Sequence, residues 1–169
     1  RTAGFNTVDI ASLSEGSKLV TILLMFIGAA PGGTGGGLKV TTFAVMGAAV
    51  FASLKGREDI SIGHFRLEAE TLRRAFSGVA VYLAMTVSGV LVLCAQGQPL
   101  TDSTFECFSA IGTVGLSTGI TATLSPLSRI AIILLMYAGR VGSLSVFMAV
   151  ARQTNCGKLR NPVGKVVVG

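Results

Sequence analysis

The sequence predicts an all-α membrane protein, and three observations carry that reading. Half of the 169 residues are hydrophobic while only 13% are charged, roughly half the charge of an ordinary soluble domain, which is about 25%. The mean hydropathy is +0.70, and the apolar residues are gathered into long runs that basic clusters flank. Glycine occurs 22 times and tryptophan not at all, a composition suited to close helix packing and irregular backbone rather than to a secreted scaffold.

The elements follow in order. Residues 19–54 form an apolar run too long for one simple span, interrupted by "PGGTGGG" at 31–37 and carrying Lys39. A proline and five glycines within seven residues do not continue a regular helix. Broken backbone at membrane depth is tolerated only where it is buried in protein or lines a wet cavity. The break therefore points to a pore or a transport pathway. Residues 55–75 are a loop: 55–74 ("KGREDISIGHFRLEAETLRR") holds five of the fourteen basic residues, and 152–165 holds four more. Under the positive-inside rule both lie on the cytoplasmic side. Residues 76–95 are an uncharged run of 20, sufficient to span as a helix. Residues 96–128 then face outward. Within them "TDSTFECFSAIG" (101–112) predicts a short helix, with Asp102 or Ser103 as its cap and Glu106 in its first turn, where the helix dipole favours it. Such a helix is too short to span, so with the glycine-centred loop after it the arrangement is re-entrant. Residues 130–151 form the last apolar run, broken by a single charge, Arg140, and 152–169 are a cytoplasmic tail.

An internal repeat gives these pieces a meaning. Residues 2–28 align without a gap on 113–139, with twelve of 27 pairs identical, among them Thr2/Thr113, Gly4/Gly115, Thr7/Thr118, Ser14/Ser125, Ser17/Ser128, Met25/Met136 and Gly28/Gly139. Similarity between apolar helices explains some of the matches in the second half, but not the polar identities. Each copy is a Thr-x-Gly loop followed by a spanning helix. Glycine permits positive φ and so lets successive carbonyls point the same way. Carbonyls turned toward a common axis, helped by a threonine hydroxyl, replace the hydration shell of a hard monovalent cation. Two such loops do not ring an axis; four or more are required.

Other chemistries fit less well. "GLSTG" at 115–119 matches the G-x-S-x-G elbow of serine hydrolases, but Ser117 needs a base. The only histidine, His64, falls on the opposite side of the bilayer, roughly 30 Å away. The equivalent of Ser117 in the other repeat is Asn6, which is no nucleophile, and no enzyme activity is expected. "GGTGGGLK" is not a phosphate loop, because Leu38 separates the glycines from Lys39 and Val40 follows it. Cys94, Cys107 and Cys156 lie far apart and make no metal-ligand spacing. The net charge of +6 is confined to loops without interleaved aromatics, which sets nucleic acid aside. Glycine-mediated helix packing in a duplicated, non-transporting scaffold or receptor is the competing reading. It accounts for close backbones but not for Pro31, Thr34 or the paired loops.

Arg140 lies eleven residues beyond Arg129, some 16 Å along a helix, and so near mid-membrane. A charge there is expensive unless it meets a wet cavity or a partner. A fixed positive charge beneath a cation filter raises the barrier to permeation, and the same arginine also suits a structural role, satisfying loop carbonyls.

The segments "RTAGFN", "IGAAPGGTGGGLKVTTF", "FSAIGTVGLSTGI" and "AGRVGSLS" resemble the Trk/Ktr/HKT superfamily of potassium transporters, most of all the bacterial Ktr-type membrane subunit, whose C-terminus the ending "KVVVG" also resembles. The resemblance covers essentially the whole chain. It implies four helix–pore-loop–helix repeats around one pore, of which this sequence is the last one and a half. Residues 1–54 would then be the third filter loop and a broken second helix, and 76–151 the fourth repeat. By that resemblance the third filter is Thr2, Ala3, Gly4, Phe5 and Asn6, and the fourth is Thr113, Val114, Gly115, Leu116 and Ser117. The intramembrane gating loop is Ala30, Pro31, Gly32, Gly33, Thr34, Gly35, Gly36 and Gly37, with Lys39 in the position after the glycines and Arg140 projecting beside the loop. No cofactor is implied beyond transported K⁺, with Na⁺ as a coupling or activating ion. Implied partners are the earlier repeats of the same polypeptide, a second copy in a homodimer, a cytosolic ring of nucleotide-binding regulatory subunits, and membrane lipid. The location implied is the bacterial inner (plasma) membrane.

Overall fold

The computed structural model describes residues 3–32, 35–56, 60–62 and 65–142. Five helices make the architecture: α1 (Glu15–Phe26), α2 (Val40–Leu54), α3 (Ala69–Ala95), α4 (Leu100–Ile111) and α5 (Pro126–Val141). The connection between α2 and α3 carries one short antiparallel pair, β1 (Ser61–Ile62) and β2 (Phe65–Arg66), a detail the loop's polar composition does not announce.

Local sequence accounts for the helix boundaries. Ser14 caps α1 by accepting from the Ser17 amide, and Ser125 caps α5 by accepting from the Ser128 amide, each satisfying an otherwise orphaned donor. These serines are repeat-mates, as are the segments before them. Gly4 and Gly115 both have positive φ (65° and 88°), and short 3₁₀ turns at Ile10–Ser12 and Ile120–Thr123 follow. The two copies thus run through the same local conformations in the same order.

Only α3 among the described residues is both long and apolar enough to cross a bilayer. It begins at Ala69, several residues before the uncharged run, because Glu70 and Arg74 form an i,i+4 ion pair that extends its first turns. Its buried residues (Ala75, Gly78, Val79, Tyr82, Thr86, Gly89, Leu93) recur every three or four positions and define one packing face. A Cβ at Gly89 would lie 2.5 Å from Leu135 Cδ1 and 3.2 Å from Cys107 Sγ, so glycine lets α3, α4 and α5 meet there.

The short helix α4 is the centre of the fold. It packs against α1, α3 and α5, and seven of its residues, from Ser103 to Ile111, are buried. One apolar cluster joins Tyr82, Leu93, Cys107, Ile111, Ile132 and Leu135 across α3, α4 and α5. A second joins Ile22 and Met25 of α1 to Phe105 and Val114. Near its N-terminus α1 is also tied to α4 by Lys18, whose Nζ lies 3.3 Å from Asp102 and 3.4 Å from Glu15. Two sequence expectations for α4 are corrected. The helix starts at Leu100 after Pro99, since proline's fixed φ suits a helix entrance, so neither Asp102 nor Ser103 is its cap. Glu106 lies in mid-helix rather than in the first turn, which Asp102 occupies.

Candidate ion-conduction site

The site is assembled where α4 ends. The amide of Thr113 donates to the Ala110 carbonyl and that of Val114 to the Ser109 carbonyl, the paired bonds of a Schellman termination. That motif needs a left-handed residue just past the helix, normally glycine. Here it is Thr113, with φ 52°, the one non-glycine residue of positive φ among those described. A β-branched residue in this region is a true outlier, and such strain costs on the order of 1–3 kcal/mol.

What the strain secures is visible at its side chain. Thr113 Oγ1 accepts from the amide of Gly36 at 2.7 Å, joining the base of the loop after α4 to the glycine-rich break. A Cβ on Gly36 would come within 2.6 Å of Thr113 Cγ2 and 2.9 Å of the Gly139 carbonyl, so only glycine fits between Thr113 and α5. Gly139 in turn lies so close to Ile111 that a Cβ would collide with that residue's carbonyl.

The break itself is a closed loop. The chain leaves α1 at Ile27, which pairs in parallel with Leu38. Gly28 donates to the Leu38 carbonyl at 2.7 Å, and Val40 donates to Ala29 at 3.3 Å. Gly32 and Gly37 take positive φ (83° and 78°). Lys39 Nζ donates to the Gly35 carbonyl at 2.7 Å, so its ammonium closes the loop from within. Gly33 and Thr34 lie outside the described residues, as do Thr2 and His64. Arg140 is exposed in the last turn of α5, one residue past the glycine whose carbonyl faces Gly36.

The two Thr-x-Gly loops come together. A Cβ on Gly4 would strike the Val114 carbonyl and lie 3.4 Å from Gly115 Cα, and one on Gly115 would lie 3.5 Å from Gly4 Cα. Two glycines separated by 111 positions thus abut, both left-handed. Ala3, Phe5 and Asn6 are exposed around Gly4, and Asn6 Nδ2 donates to the Val8 carbonyl at 2.8 Å. An open cavity of about 470 Å³ runs along the second loop, bounded by Glu106, Ser109, Thr113, Gly115, Ser117 and Met136.

Sequence reasoning missed the side chains that hold the second loop. Ser109 Oγ donates to the Leu116 carbonyl at 2.5 Å. Glu106 Oε1 accepts from Ser117 Oγ and, at 3.1 Å, from the Thr118 amide. Ser117 Oγ also accepts from the Gly119 amide at 2.9 Å. Ser117 is therefore bonded to a carboxylate and to its own turn. The polar i,i+3 pair Glu106 and Ser109 in an otherwise mostly apolar short helix was the available signal, since such pairs share a face.

Comparison with known proteins gives the family. Residues 1–160 match the profile of the TrkH family, described as a cation transport protein. The chain is 37% identical over its whole length to the Ktr system potassium uptake protein B of Bacillus subtilis (strain 168), covering 38% of that protein. It is 34% identical over 92% of its length to the potassium/sodium uptake protein NtpJ of Enterococcus hirae, covering 36% of it. It is 35% identical over 90% of its length to the Ktr system potassium uptake protein B of Vibrio alginolyticus, covering 34% of it. The chain thus spans little more than a third of the length of these relatives, which are transporters rather than enzymes. The helical membrane architecture, the paired glycine loops and a family match over nearly all of its residues lead to one conclusion: the chain belongs to the TrkH family of cation transport proteins.

Proposed function

We propose that the protein takes up K⁺ across the cell membrane as the pore-forming subunit of a Trk/Ktr-type transporter. The observation that carries this reading is the contact between Gly4 and Gly115, both at positive φ, which brings two carbonyl-bearing loops to one locus. Residues 2–6 and 113–117 then act as two of the filter segments, and further repeats of the same polypeptide complete the ring. Potassium is the ion named for the relatives above, and oxygen ligands suit it. Na⁺, named for NtpJ, enters as a coupling or activating ion.

The glycine-rich loop 30–37 with Arg140 forms the gate in this reading. Its support is the Gly36–Thr113 hydrogen bond and the approach of Gly36 to the Gly139 carbonyl, which set loop, filter base and the arginine-bearing turn against one another. Lys39 keeps the loop closed on itself through Gly35. A second copy of the protein, a cytosolic nucleotide-binding ring and surrounding lipid are its proposed partners. The name "Ktr system" borne by relatives supports a multi-component assembly, and the bacterial plasma membrane is the proposed location.

The test is K⁺ uptake by the complete protein in cells stripped of their own K⁺ uptake, wild type beside Arg140→Ala. The expected result is uptake above background, and faster K⁺ flux in the variant, because a positive charge near mid-membrane no longer opposes the ion. No uptake by the wild type contradicts the transport reading. Reduced flux in the variant at normal protein levels contradicts the gate.

A further inference from the structure

We infer that Glu106 and Ser109 are the positioning residues of the loop at 113–117, and that they turn the Leu116 carbonyl away from the ion path. The inference rests on the K⁺-filter reading above and narrows it.

Three contacts define the arrangement. Ser109 and Glu106 stand three residues apart on α4 and so present one face to the loop that follows. Ser109 holds the loop twice, its carbonyl accepting from the Val114 amide and its hydroxyl donating to the Leu116 carbonyl. Glu106 holds the next stretch through Ser117 Oγ and the Thr118 amide. Both side chains are buried, 6% exposed for Glu106 and 3% for Ser109. A carboxyl group withdrawn from water is retained only when its oxygens find hydrogen-bond partners.

Carbonyl direction follows from these bonds. The Val114 carbonyl lies against Gly4, where the two loops meet, whereas the Leu116 carbonyl is bound by Ser109 of α4. Between them stands Gly115, whose φ of 88° lets successive carbonyls take different partners. The outer half of the loop, from Leu116 to Thr118, is thus a clamp on the pore helix, and the ion-facing part ends at Gly115. The first loop has its own device at the equivalent position, Asn6 bonding the Val8 carbonyl. The carboxylate clamp on the second loop therefore works through different partners from those at Asn6.

The test is the K⁺-to-Na⁺ uptake ratio of the complete protein at matched membrane abundance, for Ser109→Ala, Glu106→Ala and Glu106→Gln, with Gly115→Ser as the reference. Loss of one such bond should lower the ratio by about fivefold in Ser109→Ala and at least as much in Glu106→Ala. Glu106→Gln keeps an acceptor of the same shape and should recover most of the ratio. Ser109→Ala removes one oxygen and little volume, so it carries the test if Glu106→Ala fails to reach the membrane. An unchanged ratio in Ser109→Ala while Gly115→Ser shifts it overturns this inference alone. So does an equal loss of K⁺ and Na⁺ uptake, the signature of a merely structural role. An unchanged ratio in Gly115→Ser overturns the filter reading and this inference with it.

Discussion

At Thr113 two demands meet in one residue. The end of α4 calls for a left-handed conformation, which glycine would supply without strain. The chain instead places threonine there at φ 52°, and its hydroxyl accepts from Gly36. Strain held by a side-chain contact at a functional position is a recurrent pattern. Thr113→Ser should keep the hydroxyl and retain K⁺ uptake and its control. Thr113→Val should lose the bond to the glycine-rich loop, worth about 1 kcal/mol, and show K⁺ flux that no longer responds to conditions that close the wild type. Flux measurements on both variants at equal abundance check this, and wild-type control in Thr113→Val would contradict it. Gly4 and Gly115 were legible in the sequence because their positive φ shows in the residue type and in the repeat, whereas the left-handed backbone of Thr113 was not, since a β-branched residue argues against it. Nor were Glu106 and Ser109. A polar residue on a short helix reads alike whether it faces water, a neighbour or the loop beyond, and only the turn of the chain at Gly112–Gly115 decides which.

At the scale of elements, α4, which at 12 residues is no longer than α1, is the most enclosed helix. Its 12 residues rise about 18 Å, yet α1, α3 and α5 all pack on it. Its C-terminal end is fixed by Gly139, where any side chain would meet the Ile111 carbonyl. Gly139→Val should therefore disturb the seat of α4 and lower stability by about 1–3 kcal/mol, read as a lower melting temperature of the purified complete protein and reduced K⁺ uptake. Gly16→Ala, at an open glycine in α1, should be far milder. Equal stability of the two variants would contradict the packing account. Much of this layer was legible: the broken run at 19–54, the long helix in 76–95 and the short helix at 101–112 all follow from hydropathy and glycine content. The start of α3 at Ala69 was hidden by its charges, which read as loop but stabilise a helical turn. The cap of α4 was misread because Asp102 and Ser103 are better capping types than Pro99, whereas the chain's entry geometry favoured the proline.

At the scale of the molecule, the two repeats differ in what covers them. Ile22 and Met25 of α1 are buried against α4, while their repeat-mates on α5, Ile133 and Met136, are 60% and 48% exposed. The same face is thus closed in one copy and open in the other. The central claim is that carbonyls around Gly4 and Gly115 select the ion. Its most direct measurement is K⁺ and Na⁺ uptake by the complete protein, wild type against Gly115→Ser. A side chain at φ 88° is strained whatever the space around it, so the loop must relax and its carbonyls must turn. The account predicts loss of K⁺ preference with Na⁺ uptake retained and normal abundance. An unchanged preference at equal abundance would contradict it.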